Sequence, residues 1–417
     1  MLIKRLNKDF FKNILKVFSG TSISQIFPMA GYLFIMQLYS AESFGIYAVW
    51  LGIVLLISML STLKLEQIFA IEFIKHPKSN AFSYVNVISF LFSIGISAIL
   101  CSVLLLAEYK YISLSFFLFI CIASILSSLL RMYECYFVAL SQFNMLIKLR
   151  IINSFLVPFF QVMFGFFYTS FEMLILGYIL GSLLAVIFSL LNTDLKFLKF
   201  FKLQQLKDFL NSYRDIPALK LPADFINNLA QQAPTFLVSF RFGAEYAGFL
   251  ALTLKFMGAP LAIIGRAISD VFRPLIIKSI ENKGNCMKEL LEASIYLSIT
   301  SILILIIIFP FGENIFLLLF GEEWVTSGAY ASILSVFFAF RMMASPVSYI
   351  LTAFRKVGVE LIVQLILLML VVLSFILSKD VNQSIIFFTI FGSIGYLIYY
   401  SVSFIYSHGT LLSKKNE

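Results

Sequence analysis

The stretch GAEYAGFLA (residues 243–251) repeats the pattern of an earlier stretch, SAESFGIYA (residues 40–48), at an offset of 203 residues. Each stretch directly follows a long apolar segment, so both hold the same place in their half of the chain. The shared residues are Ala41, Glu42, Gly45 and Ala48, which return as Ala244, Glu245, Gly248 and Ala251. The repeat predicts a chain built from two similar halves.

The composition is far too apolar for a soluble protein. Of the 417 residues, 60% are hydrophobic and 13% are charged, whereas about 25% are charged in a typical soluble domain. The 48 phenylalanines outnumber the 22 aspartates and glutamates together. These values predict a polytopic membrane protein. In such a protein the net charge of +9 indicates basic cytoplasmic loops, not a nucleic-acid partner.

Twelve apolar segments are long enough to cross a bilayer, because a helix needs about 20 apolar residues to do so. With the N-terminus in the cytoplasm, most of the 31 lysines and arginines fall in cytoplasmic loops, and glutamates dominate the exterior loops. A wrong number of spans would exchange the cytoplasmic and exterior sides of every later loop, and basic residues would then collect outside. The sequence shows no such exchange. The predicted spans are residues 17–39, 44–63, 82–106, 111–133, 149–168, 171–192, 216–240, 246–272, 290–311, 325–350, 357–377 and 385–406. We therefore predict a multi-pass protein of the bacterial inner membrane with both termini cytoplasmic.

The predicted fold is an all-α polytopic membrane protein with two six-helix bundles. The first bundle covers residues 1–200, a cytoplasmic linker covers residues 201–215, and the second bundle covers residues 216–417. Six spans in each half give both halves the same orientation, related by a pseudo-two-fold axis along the membrane normal. Two such bundles around a central cavity are typical of alternating-access transporters.

Four charges lie in the stretch KFMGAPLAIIGRAISDVFRP (residues 255–274), where each charge at bilayer depth costs about 2.5–3.5 kcal/mol. At about 100° per residue, Lys255, Arg266 and Arg273 form one narrow stripe along a helix, flanked by Asp270. One interpretation is structural: Lys255 and Arg273 reach the membrane interface, and Arg266 pairs with Asp270. The other is that the stripe faces a water-filled, cation-lined passage.

Two further spans of the second half carry polar side chains. Arg341 lies somewhat past mid-depth in span 10. In span 7, Asp224, Asn228 and Gln231 follow helical spacing and share one face. This face predicts either hydrogen bonds between helices or the lining of a passage for a polar ligand. The predicted spans of the first half contain fewer polar residues, and among those residues we consider only Glu66 as a proton or cation site.

Three stretches resemble a known family. They are PTFLVSFRFGAEYAGFLALTLKFMGAPLAIIGRAISDVFRP (residues 234–274), LYSAESFGIYAVW (residues 38–50) and LLLFGEEWVTSGAYASIL (residues 317–334). They look like the corresponding regions of Wzx-type O-antigen and polysaccharide flippases. These flippases belong to the multidrug/oligosaccharidyl-lipid/polysaccharide exporter superfamily, which has a MATE-like fold. The resemblance covers both halves, is strongest over residues 210–350, and rests on diffuse patterns.

The resemblance implies a flippase of O-antigen or capsule synthesis, as in lipopolysaccharide biosynthesis. Such a protein moves an undecaprenyl-diphosphate-linked oligosaccharide from the cytoplasmic to the periplasmic leaflet, in antiport with H⁺ or Na⁺ and without a bound cofactor. Its partners would be the lipid-linked oligosaccharide, membrane lipids, and polysaccharide polymerase or chain-length proteins. The implied substrate-binding residues are Arg266, Arg341, Lys255, Arg273, Asn228 and Gln231, and the implied ion-coupling residues are Asp224, Asp270 and Glu66.

Two alternatives are less well supported by the sequence. A cation-coupled multidrug antiporter of the same superfamily would need acidic residues in its lumen, whereas basic residues outnumber acidic ones among the candidate lumen residues here. A membrane enzyme acting on the same lipid would need a large exterior loop with catalytic side chains. The histidines, His76 and His408, are both predicted to be cytoplasmic, and the sequence shows no acid/base pair, Cys/His arrangement or metal-ligand spacing. We therefore predict that the protein is not an enzyme.

Overall fold

A computed structural model describes residues 23–75, 79–106, 113–193, 203–354 and 356–408. Within these ranges the regular structure is helical, and no strand occurs. The first half contains α1 (Ile23–Leu38), α2 (Ala41–Ser61), α3 (Phe69–Lys75), α4 (Ala81–Leu106), α5 (Leu114–Ala139), α6 (Phe143–Gly165), α7 (Phe171–Leu191) and α8 (Leu203–Ser212). The second contains α9 (Asp215–Phe242), α10 (Ala244–Lys283), α11 (Met287–Phe320), α12 (Val325–Ala344), α13 (Tyr349–Ala353), α14 (Val357–Leu377) and α15 (Val381–Ser407).

Each of the twelve predicted spans corresponds to a helix of the structure. Ten of these helices are long and apolar enough to cross a membrane. The other two are α1, which is apolar but short within the described residues, and α9, whose polar face lowers its hydropathy. The chain is thus an all-α, multi-pass membrane protein.

Two helix pairs approach closely because glycine leaves room for the neighbouring backbone. On α7, a Cβ added at Gly181 would lie 2.7 Å from the backbone of Val157 on α6, and one added at Gly177 would lie 2.7 Å from the backbone nitrogen of Gln161. In the second half, a Cβ at Gly328 of α12 would lie 2.7 Å from the Cα of Glu313 on α11. Small residues at such spacing are the usual means by which membrane helices pack.

Aromatic rings fill the core of each half. Trp50 of α2 is fully buried and meets Tyr178 of α7 edge to face, with ring centroids 5.6 Å apart. In the other half, Phe337 of α12 packs on Phe388 of α15 at 4.8 Å. Such pairs add about 0.5–1.5 kcal/mol beyond the area they bury, so they fix the register of the helices they join.

The chain divides into two compact units, Met1–Asn228 and Leu229–Glu417, at a point inside α9. The predicted linker, residues 201–215, ends before this point of division. Within the first unit, α8 is anchored by Phe209, whose ring is 7% exposed and lies 5.4 Å from that of Tyr84. The hydroxyl of Tyr213, just after α8, donates a hydrogen bond to the Glu72 carboxylate. The amphipathic helix α8 is therefore part of the first unit.

Candidate functional site

The chain leaves α2 through an unusual turn. Leu63 and Lys64 have φ angles of 50° and 61°, a left-handed conformation that costs a residue other than glycine about 1–3 kcal/mol. A short 3₁₀ helix, Leu65–Ile68, follows at once. The turn directs two ionisable residues inward, since Lys64 is 7% exposed and Glu66 is 2% exposed. Backbone strain of this kind persists only where surrounding contacts hold it.

Lys64 forms an ion pair with Asp224 of α9. Its Nζ lies 2.9 Å from the Asp224 carboxylate, and the Lys64 and Asp224 side chains are 9% and 39% exposed. Burial of an ammonium group without a partner would be costly, and the carboxylate offsets that cost. Asp224 is the more exposed partner of the pair.

Glu66 lies beside this pair in the sequence and has a different environment. Its Oε2 atom is buried and has no hydrogen-bond partner within the described ranges. Buried polar atoms are nearly always hydrogen-bonded, so an exception calls for a physical reason. Glu66 lies just past the membrane-spanning part of α2, and its role as a proton or cation site stays a prediction.

Further charged residues of the first unit lie on α5 and α6. Arg131 donates a hydrogen bond to the Ser58 hydroxyl at 3.3 Å. Glu134 pairs with Arg150 at 2.7 Å.

The sequence pointed to Asp224 and Glu66 but missed Lys64. Lys64 ends an apolar span, where a lysine ordinarily serves as an interfacial anchor. Its pairing with Asp224 joins residues that are far apart in the chain, and no spacing rule predicts such a contact. The proximity of Lys64 to Glu66 in the sequence was the available signal.

The polar face of α9 holds the two predicted amide residues. The side-chain amide of Asn228 donates a hydrogen bond to the Asp224 carbonyl at 2.7 Å and also contacts the Met59 sulfur at 3.2 Å. Gln231 lies about one turn further along and is exposed. Asn228 thus shares the ion pair's surroundings, at the end of α2, within the first unit.

In the second unit, the predicted basic stripe lies on one continuous helix, α10. Lys255 is half-buried, and Arg273 is exposed, with its guanidinium 5.0 Å from the ring centroid of Tyr349. The side chains of Arg266 and Asp270 lie outside the described part of the structure. The orientation of the stripe toward water stays a prediction.

Arg341 lies in the last turn of α12 and is half-buried. Its guanidinium carbon is 5.9 Å from the ring centroid of Phe338. Lys356, just before α14, similarly stands 5.9 Å from the Tyr406 ring. Among the side chains that the structure describes, which do not include that of Asp270, no carboxylate lies at salt-bridge distance from Arg341, Lys356 or Arg273. Cations held by rings and not by carboxylates keep their charge available for an anionic ligand.

A second acidic site, which the sequence reading missed, lies at the start of α14. The Glu360 carboxylate accepts hydrogen bonds from Thr352 at 3.2 Å and from the Tyr399 hydroxyl at 3.4 Å. Gln364, one turn further, donates to Glu360 at 3.5 Å, and its own Oε1 is buried without a hydrogen-bond partner in the described chain. Helical spacing alone could have linked Glu360 to Gln364, but not to Tyr399.

The sequence matches the family model described as "Polysaccharide biosynthesis protein" over residues 35–329, which is more than half of the chain. The chain belongs to this polysaccharide biosynthesis protein family. The match confirms the resemblance to a polysaccharide family that the sequence indicated. No curated protein matches the chain significantly.

Solved structures with the same fold are transporters of the MOP superfamily and its relatives. The lipid II flippase MurJ, in an inward closed conformation, superposes with a TM-score of 0.73 at 15% identity, covering 92% of this chain and 87% of MurJ. An inward-facing multidrug resistance MATE family transporter gives 0.66 at 11% identity, covering 94% and 96%. A MOP superfamily transporter from Pyrococcus furiosus, described as having reverse polarity of its binding pocket, gives 0.62 at 11% identity, covering 95% and 96%. These likenesses confirm the predicted fold of twelve helices in two bundles.

Proposed function

We propose that this member of the polysaccharide biosynthesis protein family is a flippase for lipid-linked oligosaccharide. Its substrate would be an undecaprenyl-diphosphate-linked O-antigen or capsule repeat unit. It would move from the cytoplasmic to the periplasmic leaflet of the bacterial inner membrane by alternating access, with both protein termini cytoplasmic. Family membership supports a polysaccharide substrate, and the fold shared with the lipid II flippase MurJ supports a lipid-linked one.

The observation that carries the proposal concerns two arginines of the second unit, Arg273 and Arg341. Each lies near an aromatic ring, and no carboxylate among the described side chains lies at salt-bridge distance from either. Arginine binds phosphate through two parallel hydrogen bonds, which suits a diphosphate better than a point charge does. We assign Arg266, Arg341, Lys255 and Arg273 to the diphosphate or to acidic sugars, and Asn228 and Gln231 to sugar hydroxyls.

Transport would be coupled to H⁺ or Na⁺ through the acidic residues Glu66, Asp224 and Asp270. The burial of Glu66 and the exposed side of Asp224 favour the first two as the sites at which an ion binds. Asp270 remains a candidate from the sequence, on the same helix as the basic stripe.

The test is complementation of a strain that lacks its own flippase and accumulates lipid-linked repeat units. Arg341→Ala and Arg266→Ala should each abolish surface polysaccharide while the protein stays inserted at normal abundance. Arg341→Lys should restore part of the export if charge alone matters, and little if bidentate phosphate contact is needed. The matched control is Lys288→Ala, which removes a cation from an exposed ion pair with Glu292 and should leave export unchanged.

Full export by both arginine-to-alanine variants would contradict the proposal. The rival function, cation-coupled multidrug antiport, makes a different prediction in the same strain. The wild-type gene would then raise resistance to organic cations and leave surface polysaccharide absent.

A further inference from the structure

The two units carry an equivalent pair of packed helices, α5 with α7 in the first and α12 with α15 in the second. Helix α7 begins at Phe171, and α15 begins 210 residues later, at Val381. The Arg-Met dipeptide at residues 131–132 of α5 returns at the same offset, at residues 341–342 of α12. Core positions of the first unit can therefore be compared with their equivalents in the second.

In the second unit, aromatic rings fill the core between these two helices. The ring centroids of Phe337 on α12 and Phe388 on α15 are 4.8 Å apart. A Cβ added at Gly392 of α15 would lie 2.6 Å from the Phe337 ring, so the ring occupies the space that a side chain would take there. In the first unit the three equivalent positions carry hydroxyl groups, on Ser127, Tyr178 and Ser182.

The hydroxyls of Ser127 and Tyr178 form a hydrogen bond whose direction is fixed. Their oxygens are 2.9 Å apart. The single hydroxyl hydrogen of Ser127 is donated to the Ala123 carbonyl at 2.7 Å, so Tyr178 is the donor to Ser127. The Tyr178 oxygen therefore keeps its capacity to accept a hydrogen bond.

Three further polar atoms lie next to this hydrogen bond. They are the Nε1 atom of Trp50 and the hydroxyl oxygens of Ser124 and Ser182, each on a fully buried side chain and without a hydrogen-bond partner among the described residues. The Trp50 ring meets that of Tyr178 edge to face, with centroids 5.6 Å apart. Ser182 lies one turn from Tyr178 on α7, and Ser124 one turn from Ser127 on α5, and residues at these spacings are neighbours on one helix face.

The chemistry of these groups selects a small neutral ligand. An indole N–H only donates a hydrogen bond, a serine hydroxyl can donate and accept, and the Tyr178 oxygen accepts. The nearest charge on the same face of α5 is Arg131, whose guanidinium is bonded to Ser58. Ser58 lies eight residues, or about 12 Å, beyond Trp50 along α2. An ion among neutral groups in an apolar core would be costly, whereas a water molecule would not.

We propose that the core of the first unit contains a site for bound water between α2, α5 and α7. Water there accepts a hydrogen bond from Trp50, donates to the Tyr178 oxygen, and bonds to the hydroxyls of Ser124 and Ser182. Buried water usually makes about three such bonds to protein groups that have no other partner. The equivalent region of the second unit is filled by the rings of Phe337 and Phe388 and holds no water.

The experiment uses the full-length protein in lipid nanodiscs, with tryptophan fluorescence as the readout. Trp324→Phe leaves Trp50 as the single tryptophan, and the reference protein, Trp50→Phe, leaves Trp324. Both indoles are fully buried, but only the Nε1 of Trp50 is a buried atom without a described partner. We expect Trp50 to emit at longer wavelength than Trp324 and to have a longer fluorescence lifetime in D₂O than in H₂O, because bound water relaxes around the excited indole and quenches it.

Two serine variants of the Trp50 protein identify the site. Ser124→Ala and Ser182→Ala each remove one partner of the water, so each should shift the Trp50 emission to shorter wavelength and reduce the effect of D₂O. The matched control is Ser189→Ala, also on α7. Ser189 is equally buried, but its hydroxyl donates to the Ala185 carbonyl at 3.1 Å, so its removal should leave the Trp50 emission unchanged.

The ratio of folded to unfolded protein in Ser182→Ala provides an independent test, measured by titration with sodium dodecyl sulfate in detergent micelles. Loss of a hydrogen bond to water should lower this ratio about fivefold. Removal of a dry hydroxyl without a partner would raise the ratio instead, and such a rise would overturn the inference. So would a Trp50 emission and D₂O effect equal to those of Trp324. Neither measurement depends on polysaccharide export, so failure of the proposed function would be seen separately.

Discussion

A methyl group added at Gly181 should destabilise the first unit, because two helix backbones already touch there. The new Cβ would lie 2.7 Å from both the nitrogen and the Cα of Val157, whereas ordinary van der Waals contact begins at 3.4 Å. These are backbone atoms and cannot rotate away, so α6 and α7 must separate by about 0.7 Å, the difference between those two distances. Overpacking of this kind costs about 1–3 kcal/mol, and about 2 kcal/mol lowers the ratio of folded to unfolded protein about 30-fold.

The assay is the free energy of unfolding in detergent micelles titrated with sodium dodecyl sulfate. The chain has two tryptophans, so Trp324→Phe leaves Trp50 as the reporter. Trp50 is fully buried against Tyr178 of α7, and its fluorescence follows the packing of that helix. The matched control is Gly95→Ala on α4, where no heavy atom lies within 4 Å of the added Cβ.

Gly95→Ala should leave the free energy of unfolding unchanged or raise it slightly, since alanine favours helix more than glycine does. If Gly181→Ala were as stable as Gly95→Ala, the claim that the α6–α7 interface requires glycine would be refuted. An equal loss in both variants would instead indicate a general effect of replacing glycine.

Three other predictions concern separate parts of the chain. Gly328→Ala should destabilise the second unit by a similar amount, measured by Trp324 fluorescence, because its Cβ would lie 2.7 Å from the Gly312 carbonyl oxygen; wild-type stability would contradict this. Burial, together with the Glu72 carboxylate, raises the pKa of Tyr213 to about 12. The hydrogen bond from Tyr213 to Glu72 should therefore stabilise the docking of α8 below pH 10, and this stabilisation should be lost as the pH rises toward 12. Tyr213→Phe should weaken that docking by about 1 kcal/mol at neutral pH, seen as faster proteolysis of α8. Burial also raises the pKa of the Cys286 thiol to about 12, so maleimide at pH 8 should label Cys286 only after unfolding, as mass spectrometry of the labelled peptide would show.

Hydropathy located the spans well because each span carries its own signal. The predicted spans 44–63 and 171–192 match α2 (Ala41–Ser61) and α7 (Phe171–Leu191) closely. Hydropathy was less informative about how far a helix continues beyond the membrane. Helix α10 continues to Lys283, eleven residues past the predicted span 246–272, because backbone hydrogen bonds propagate a helix into polar sequence.

For the candidate site, the sequence identified which residues were unusual but not their partners. A charged or amide residue in an apolar span is visible in a single sequence, which is how Asp224, Asn228 and Glu66 were found. Their environments depend on neighbours from other helices. The pairing of Asp224 with Lys64 and the contact of Arg273 with Tyr349 arise only when distant segments are packed together.

The sequence by itself determined the membrane class, the number of spans and the two-fold repetition, because transfer of apolar side chains from water to lipid depends on local composition. The tertiary structure decided that the end of α2 bends through a left-handed turn and that Lys64 pairs with Asp224. It also buried Glu66, one of whose oxygens has no hydrogen-bond partner among the described residues. A charge in a region of low dielectric gains or loses several kcal/mol according to the atoms within a few ångströms of it. Those atoms come from segments distant in the chain, so their identity is a property of the packed molecule.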